Sequence, residues 1–328
     1  MRIGLAEIEA AQRRIAGAIL RTPLSTSTEL SARCGAPVLL KCEHRQPTGS
    51  FKLRGATNAV LSLTDDERAA GVVAVSTGNH GRALANAAAT AGARCVIAMS
   101  RLVPRNKVDA IRAEGAEILI EGRSQDEAEK EAARLASEGM TMVPPFDDPC
   151  VIAGQGTLGL EIAEEAPEAE TVLVPLSGGG LLAGVAAAMK ARRPGVRVIG
   201  VSMARGAAMA ASLEAGRPVE VEEMASLADS LGGGVGLSNR HTFKMVRDLV
   251  DEVVLLSEAD IAAGIRHCFV EEGEVVEGAG AVGVAALIAG RARAKGPTVA
   301  ILTGGNIDPA LHARIVAGET PDLAGETA

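Results

Sequence analysis

The chain has 328 residues, of which 47% are hydrophobic but only 1% aromatic: four Phe, no Trp and no Tyr. Its core must be built from Ala, Val, Leu and Ile, which suits buried parallel strands with helices packed closely on them. With 33 basic and 41 acidic residues the formal charge is -8, and no basic stripe interleaved with aromatics is present, so nucleic acid is not an expected partner.

Met1-Arg2-Ile3-Gly4 leads directly into a helical pattern that contains Arg13 and Arg14. No apolar leader is expected, and no span approaches the roughly 20 apolar residues that cross a membrane, so a cytoplasmic location is expected. From Val72 onward, strands are predicted at 72–75, 95–98, 117–120 and 140–143, with helices near 81–91, 106–114 and 125–137. The cycle resumes with strands at 171–174, 196–201, 252–255 and 298–302. This alternation predicts an α/β protein with parallel sheets covered by helices. Residues 70–146 read as a small domain inserted into a larger one made of residues 1–69 and 147–318. Residues 319–328 read as a flexible tail. A ligand is expected in the cleft between the sheets, at the carboxyl ends of their strands. Cys34, Cys42, Cys95, Cys150 and Cys268 are odd in number, with no CxxC or metal-ligand spacing, and read as reduced thiols.

Four segments carry chemistry. Pro47-Thr48-Gly49-Ser50-Phe51-Lys52-Leu53-Arg54-Gly55 puts one lysine in a small-residue turn bounded by glycines. A lysine amine is a useful nucleophile only when held, partly desolvated, against an electrophile such as an aldehyde; the plain alternative is a solvated lysine. Ser76-Thr77-Gly78-Asn79-His80-Gly81 follows a strand and opens a helix, so its free N–H groups and the helix dipole make either an anion site or an ordinary N-cap turn. Pro175-Leu176-Ser177-Gly178-Gly179-Gly180-Leu181-Leu182-Ala183-Gly184 repeats that geometry with three successive glycines, which let the backbone wrap a phosphate. It is neither a Walker A loop nor a dinucleotide-binding Gly-x-Gly-x-x-Gly. Leu302-Thr303-Gly304-Gly305-Asn306 places a hydroxyl at the end of the last apolar strand, or is simply a turn with Gly at the bend.

In this order the four segments resemble the fold-type II pyridoxal-phosphate enzymes, the threonine dehydratase and serine racemase group, across about residues 20–310. Arg21-Thr22-Pro23-Leu24, Val151-Ile152-Ala153-Gly154-Gln155-Gly156-Thr157 and Val276-Glu277-Gly278-Ala279-Gly280-Ala281 are similar to further family segments. The resemblance implies a two-domain, tryptophan synthase β-like fold. Pyridoxal 5'-phosphate would lie in the interdomain cleft, with the smaller domain closing over an amino-acid substrate. It makes Lys52 the residue that holds the cofactor and acts as general base, with Phe51 beside it and Thr77 on the opposite face. Asn79 would lie at the ring 3-hydroxyl, and Ser177, Gly178, Gly179, Gly180 and Leu181 at the phosphate. Glu277 would lie near the ring, and Thr303 at its nitrogen. Ser76, Thr77, Gly78, Asn79, His80, Gln155, Gly232 and Gly233 would meet substrate. A neutral hydroxyl at the ring nitrogen weakens the electron sink and favours direct loss of a β-leaving group. A homodimer is also implied.

Departures from the family sharpen the expectation. Ser177 stands where relatives commonly carry glycine. Thr77 replaces the free serine hydroxyl of racemases and is stiffer, favouring elimination over racemisation. Ser202-Met203-Ala204-Arg205-Gly206-Ala207-Ala208 has no carboxylate where many relatives hold a structural cation, so no metal site is predicted. Leu227-Ala228-Asp229-Ser230-Leu231-Gly232-Gly233-Gly234-Val235-Gly236 is unusually glycine-rich, suiting a longer substrate or a flexible loop. With Gly81-Arg82 and Ser100-Arg101-Leu102-Val103-Pro104, it resembles the hydroxyectoine-utilisation dehydratases. These act on a hydroxylated, acylated diaminobutyrate-type amino acid, with Arg82 or Arg101 as a tail-binding candidate. The alternatives are L-threonine/L-serine dehydratase, 3-hydroxyaspartate dehydratase and amino-acid racemase. A different class is a non-catalytic binder of the cofactor or a metabolite.

Overall fold

A computed structural model of the chain describes residues 3–103, 105–122 and 124–323; Pro104 and the last five residues of the expected tail lie outside the described residues. Helix α1 (Leu5–Ile15) buries Ile8, Ala11 and Ile15 on one face. It is followed by β1 (Leu24–Ser27), α2 (Thr28–Cys34), β2 (Val38–Lys41), α3 (Lys52–Leu61) and α4 (Asp65–Ala70). The next stretch alternates: β3 (Val72–Val75), α5 (Asn79–Thr90), β4 (Cys95–Met99), α6 (Arg105–Ala113), β5 (Glu117–Ile120), α7 (Gln125–Ser137) and β6 (Thr141–Met142). Then come α8 (Pro149–Glu165), β7 (Thr171–Pro175), α9 (Gly180–Arg192), β8 (Arg197–Met203), α10 (Ala208–Ala215) and α11 (Thr242–Leu249). The chain closes with β9 (Glu252–Leu256), α12 (Glu258–Val270), α13 (Gly278–Ile288), β10 (Thr298–Ile301) and α14 (Pro309–Val316). Local chemistry sets several starts. Asp148 caps α8 ahead of Pro149 and accepts from Cys150 and Val151 N–H, while Ser257 and Asp260 form a reciprocal capping box on α12.

The strands form two sheets, in the orders β1-β2-β10-β7-β8-β9 and β5-β4-β3-β6. Each ladder is parallel except β1 on β2, which pairs antiparallel from Leu24↔Lys41 to Ser27↔Val38. One core on the six-stranded sheet is built on Ile8, Ile152, Leu158, Leu182 and Val185; the other holds Ile261, Ile265, Val282 and Val284. A third packs Leu53, Ala56 and Val60 of α3 with Leu84, Ile97 and Ile111 around the four-stranded sheet. Full burial of each large aliphatic side chain contributes about 1.5–3 kcal/mol. The scarcity of aromatics is matched by helices that touch backbone to backbone. A Cβ on Gly184 would lie 2.5 Å from Ile152 O, and one on Gly154 2.6 Å from Arg54 O. The glycines of the 151–157 segment are therefore packing residues inside α8.

The structure corrects the sequence reading at several points. β1 and β2 were not foreseen, and β1 breaks the parallel rule at the sheet edge. Lys52 is the first residue of α3 and not part of a turn. Beyond Gly318, Pro321 is buried, Leu323 packs on the second core, and Asp322 pairs with Arg205 (3.2 Å). The five cysteines are unpaired, and burial pushes the thiols of Cys42 and Cys95 up to about 11 and about 12. Among the described residues no helix is long and apolar enough to cross a membrane.

Candidate active site

The loops that leave β3, β7 and β10 face the Lys52 segment across a cleft of about 910 Å³ between the two sheets. Backbone pairing places the lysine. Phe51 N–H donates to Thr303 O (3.0 Å), Gly305 N–H to Gly49 O (3.0 Å), and Ser50 bridges Gly304. The segment before α3 thus continues the edge of β10 and carries Lys52 to the strand end. Lys52 Nζ donates to Pro145 O (2.8 Å). Burial draws its amine down to about 8, against the opposing charge of Glu277.

Directly behind Lys52, Arg54 anchors α3. Its guanidinium holds Glu43 with Nε and Nη2 (2.7 and 2.8 Å) and Glu161 with Nη1 and Nη2 (2.7 and 2.9 Å). Lys41 adds contacts to Glu161 (2.9 Å) and Glu165 (2.8 Å). Arg54, Glu43 and Lys41 are fully buried. Burial pushes the Glu43 carboxyl up, but the charge and hydrogen bonds of Arg54 outweigh it and hold the group below the usual carboxylate range. β2, α3 and α8 are thereby locked in register behind the lysine.

On the opposite wall, Asn79 is the first residue of α5, and Ser76 Oγ accepts from Gly81 N–H (3.0 Å), which tightens the preceding loop. Thr77 and Gly78 line the cleft beside it. His80 is buried with Nε2 on Val143 O (2.9 Å), and burial together with the Lys52 charge lowers it to about 3. The Val143 carbonyl can only accept, so Nε2 is the protonated nitrogen of this ring. Asn79 Nδ2 donates to Glu277 Oε1 (2.7 Å). Burial and the neighbouring Asp229 raise Glu277 to about 7, moderated by Asn79, Asn306 N–H and Lys107.

Ser177, Gly178, Gly179, Gly180 and Leu181 line the cleft at the start of α9. Gly179 has φ +91°, which a side chain would strain, and a Cβ on Gly178 would lie 2.4 Å from the Phe146 ring. The first N–H groups of a helix have no partner in a preceding turn; the first here to find a backbone acceptor is Ala183, on Gly179 O (2.8 Å). The turn is therefore a bare cradle of donors. Thr303 Oγ1 makes one long bond, to Ala279 O (3.4 Å), and keeps its hydroxyl available. Gly232 and Gly233 lie on the far wall, where Lys107 of α6 meets Asp229 across the cleft (3.5 Å).

Two expectations fail on position. Gln155 is buried in α8 against Gly55 and does not line the cleft, because the helix turns it toward α3. Arg101 is exposed beside Glu121, away from the cleft, whereas Arg82 lines it. Asn306, Pro145 and Phe146, which no sequence motif marks as site residues, also line the cleft. Asn306 ends a recognised glycine motif, and Phe146 is one of only four Phe; neither signal says which side chain turns inward.

The family model for pyridoxal-phosphate dependent enzymes matches residues 15–304. A Sinorhizobium fredii protein provisionally named a threonine dehydratase is 58% identical over 96% of both chains. An L-threonine ammonia-lyase of Thermotoga maritima is 44% identical over 96% of this chain and 78% of its own. Among solved structures, maize serine racemase superposes with a TM-score of 0.90 at 33% identity, covering 96% of this chain and 97% of that one.

Proposed function

This chain belongs to the pyridoxal-phosphate-dependent enzymes of fold-type II, and on that premise we propose that it is a hydroxy-amino-acid dehydratase: it eliminates water to give an enamine, whose hydrolysis takes that water up again and yields a keto acid and ammonia. The observation that carries the reading is the Lys52 amine. It is enclosed in the cleft, lowered to about 8, and faces a donor-lined anion site and the Thr303 hydroxyl across the same space.

The residues present fit the cofactor. The N–H groups of Gly178, Gly179, Gly180 and Leu181, with Ser177, suit its phosphate; Thr303 Oγ1 suits the ring nitrogen; and Lys52 Nζ suits its aldehyde carbon. When bound, pyridoxal phosphate supplies the electron sink that makes the substrate's Cα–H bond acidic. Lys52 Nζ then takes the Cα proton and returns a proton to the departing hydroxyl. The loop of Ser76, Thr77 and Gly78 holds the substrate carboxylate, and Asn79 and Glu277 orient the ring. Thr77, stiff at χ1, is a poor second base, which favours elimination over racemisation.

Within that activity, we read the substrate as a hydroxylated, acylated diaminobutyrate-type amino acid. Gly234 supports this: it has neither positive φ nor a close neighbour, so no demand of the fold explains its missing side chain, and it lines the cleft. The alternative of L-threonine or L-serine is supported by the names of the relatives. The reading includes two copies of the chain as a homodimer. Keto-acid release is the test, with wild type and Lys52→Ala on L-threonine, L-serine, 3-hydroxyaspartate and the acylated hydroxy-diaminobutyrates. Preference for the acylated substrate supports the reading. Faster turnover of threonine makes the protein a general dehydratase, and a coloured protein with no product makes it a binder.

A further inference from the structure

Asn306 lies just past the Gly304-Gly305 bend and joins three separate segments. Its Nδ2 donates to Thr48 O (3.0 Å), ahead of the lysine, and to Asn79 Oδ1 (2.6 Å), at the start of α5. Its Oδ1 accepts from Arg82 Nη1 (2.6 Å), and Asn79 passes the line on through Nδ2 to Glu277 Oε1 (2.7 Å). The direction of these bonds follows from chemistry. A guanidinium only donates and a backbone carbonyl only accepts. With Arg82 on one side and Thr48 O on the other, the Asn306 amide has a single satisfied orientation. That orientation turns the Asn79 oxygen toward Asn306 and its amino group toward Glu277. Asn306 is also the only hydrogen-bond acceptor that the Arg82 guanidinium reaches among the described residues: Nε is buried without a partner, and Nη2 stands 3.8 Å from Glu114. Gly49 packs against the same side chain, since a Cβ there would lie 2.5 Å from Asn306 Oδ1.

We propose that Asn306, polarised by Arg82, is a positioning residue that holds the Asn79 amide with its amino group available to the cofactor's ring oxygen. This rests on the cofactor site described under the proposed function. Asn79 has two N–H bonds on Nδ2: one is spent on Glu277, and the second remains for the ring. A reversed Asn79 would set its carbonyl against the ring oxygen, acceptor against acceptor, and would strand the Glu277 bond. The cation at the head of the line strengthens each donor after it, because hydrogen bonds in series polarise one another. Neither Asn306 nor Arg82 needs to touch substrate for this.

Asn306→Asp is the sharpest test. It preserves shape, but a carboxylate cannot donate, so Thr48 O and Asn79 Oδ1 would both face an acceptor. The readouts are the visible absorption maximum of the bound cofactor and its affinity, with no substrate present. The expected result is a displaced maximum and about tenfold or more weaker cofactor binding. Arg82→Met should move it in the same direction as Asn306→Asp, and Arg82→Gln, which keeps a donor but loses the charge, should move it the same way but less. A wild-type maximum and affinity in Asn306→Asp would overturn the proposal. If that variant does not fold, an unchanged maximum in Arg82→Met would overturn it instead. A purely structural role would lower the melting temperature and leave the maximum alone, which also counts against it. Failure of wild type to take up cofactor would overturn this and the functional reading together. Normal uptake without any keto acid would overturn only the latter.

Discussion

Arg54→Met tests the scaffold behind the lysine. The arginine makes four charge-assisted contacts of 2.7 to 2.9 Å to two buried carboxylates. Met fills most of the same volume and makes none of them. Among the described residues, Glu43 would keep hydrogen bonds only from the hydroxyl of Thr22 and the amide of Gln46, and Glu161 only the Lys41 amine (2.9 Å). Removing one partner of a buried pair costs about 3–5 kcal/mol, because the other charge stays desolvated. Against an ordinary stability of about 5–15 kcal/mol, that loss is visible as an earlier urea midpoint at pH 7. The cost is mainly the stranded carboxylate, so adding Glu43→Gln to Arg54→Met should recover much of the loss. Keto-acid release should also fall beyond the loss of folded protein, since α3 carries Lys52. A cost under about 1 kcal/mol, or a double variant no better than the single, would refute the assignment of this network as the anchor of α3.

Three further outcomes follow from the geometry. Glu277 is raised from 4.5 to about 7 in the fold, so the folded protein retains a proton that the unfolded chain releases. Its contribution is greatest below pH 4.5 and falls as pH rises toward 7, so Glu277→Gln should gain on wild type between pH 5 and 8, by at most about 3 kcal/mol; a pH-independent difference in urea unfolding would contradict this. Gly178→Ala brings a methyl within 2.4 Å of the Phe146 ring, and should cost about 1–3 kcal/mol and weaken cofactor binding, with Phe146→Leu in the same chain restoring stability. The Lys52 amine must be neutral to attack an aldehyde, so the rate of cofactor uptake by the apoprotein should rise about tenfold per pH unit below about 8 and level off above it; a flat stopped-flow profile would remove Lys52 from that step.

The parallel strands from β3 onward were legible because they are short runs rich in Val, Ile and Leu between helical stretches, as in Val72–Val75 and Thr171–Pro175. β1 was not, because Leu24–Ser27 is a polar edge strand, and β2 ends in Lys41, which looks like a surface residue and is fully buried. The glycine turn and the Asn79 loop could be found because a backbone anion site leaves its mark in consecutive residues. Gln155 and Asn306 show the limit. Both end or interrupt recognisable motifs, but whether the side chain faces α3 or the cleft depends on helix rotation and strand ends that only tertiary packing determines. The Arg54 network was hidden for the same reason: Glu43, Glu161 and Lys41 read as ordinary charges until the fold encloses them.

The central claim is that Lys52 is the residue that carries pyridoxal phosphate in this cleft. Borohydride reduction of the holoprotein, followed by peptide mass mapping, tests it most directly. A phosphopyridoxyl group is expected on the Lys52 peptide and absent from a folded Lys52→Ala variant. A label on another lysine, or none on a protein that still binds the cofactor, would contradict it.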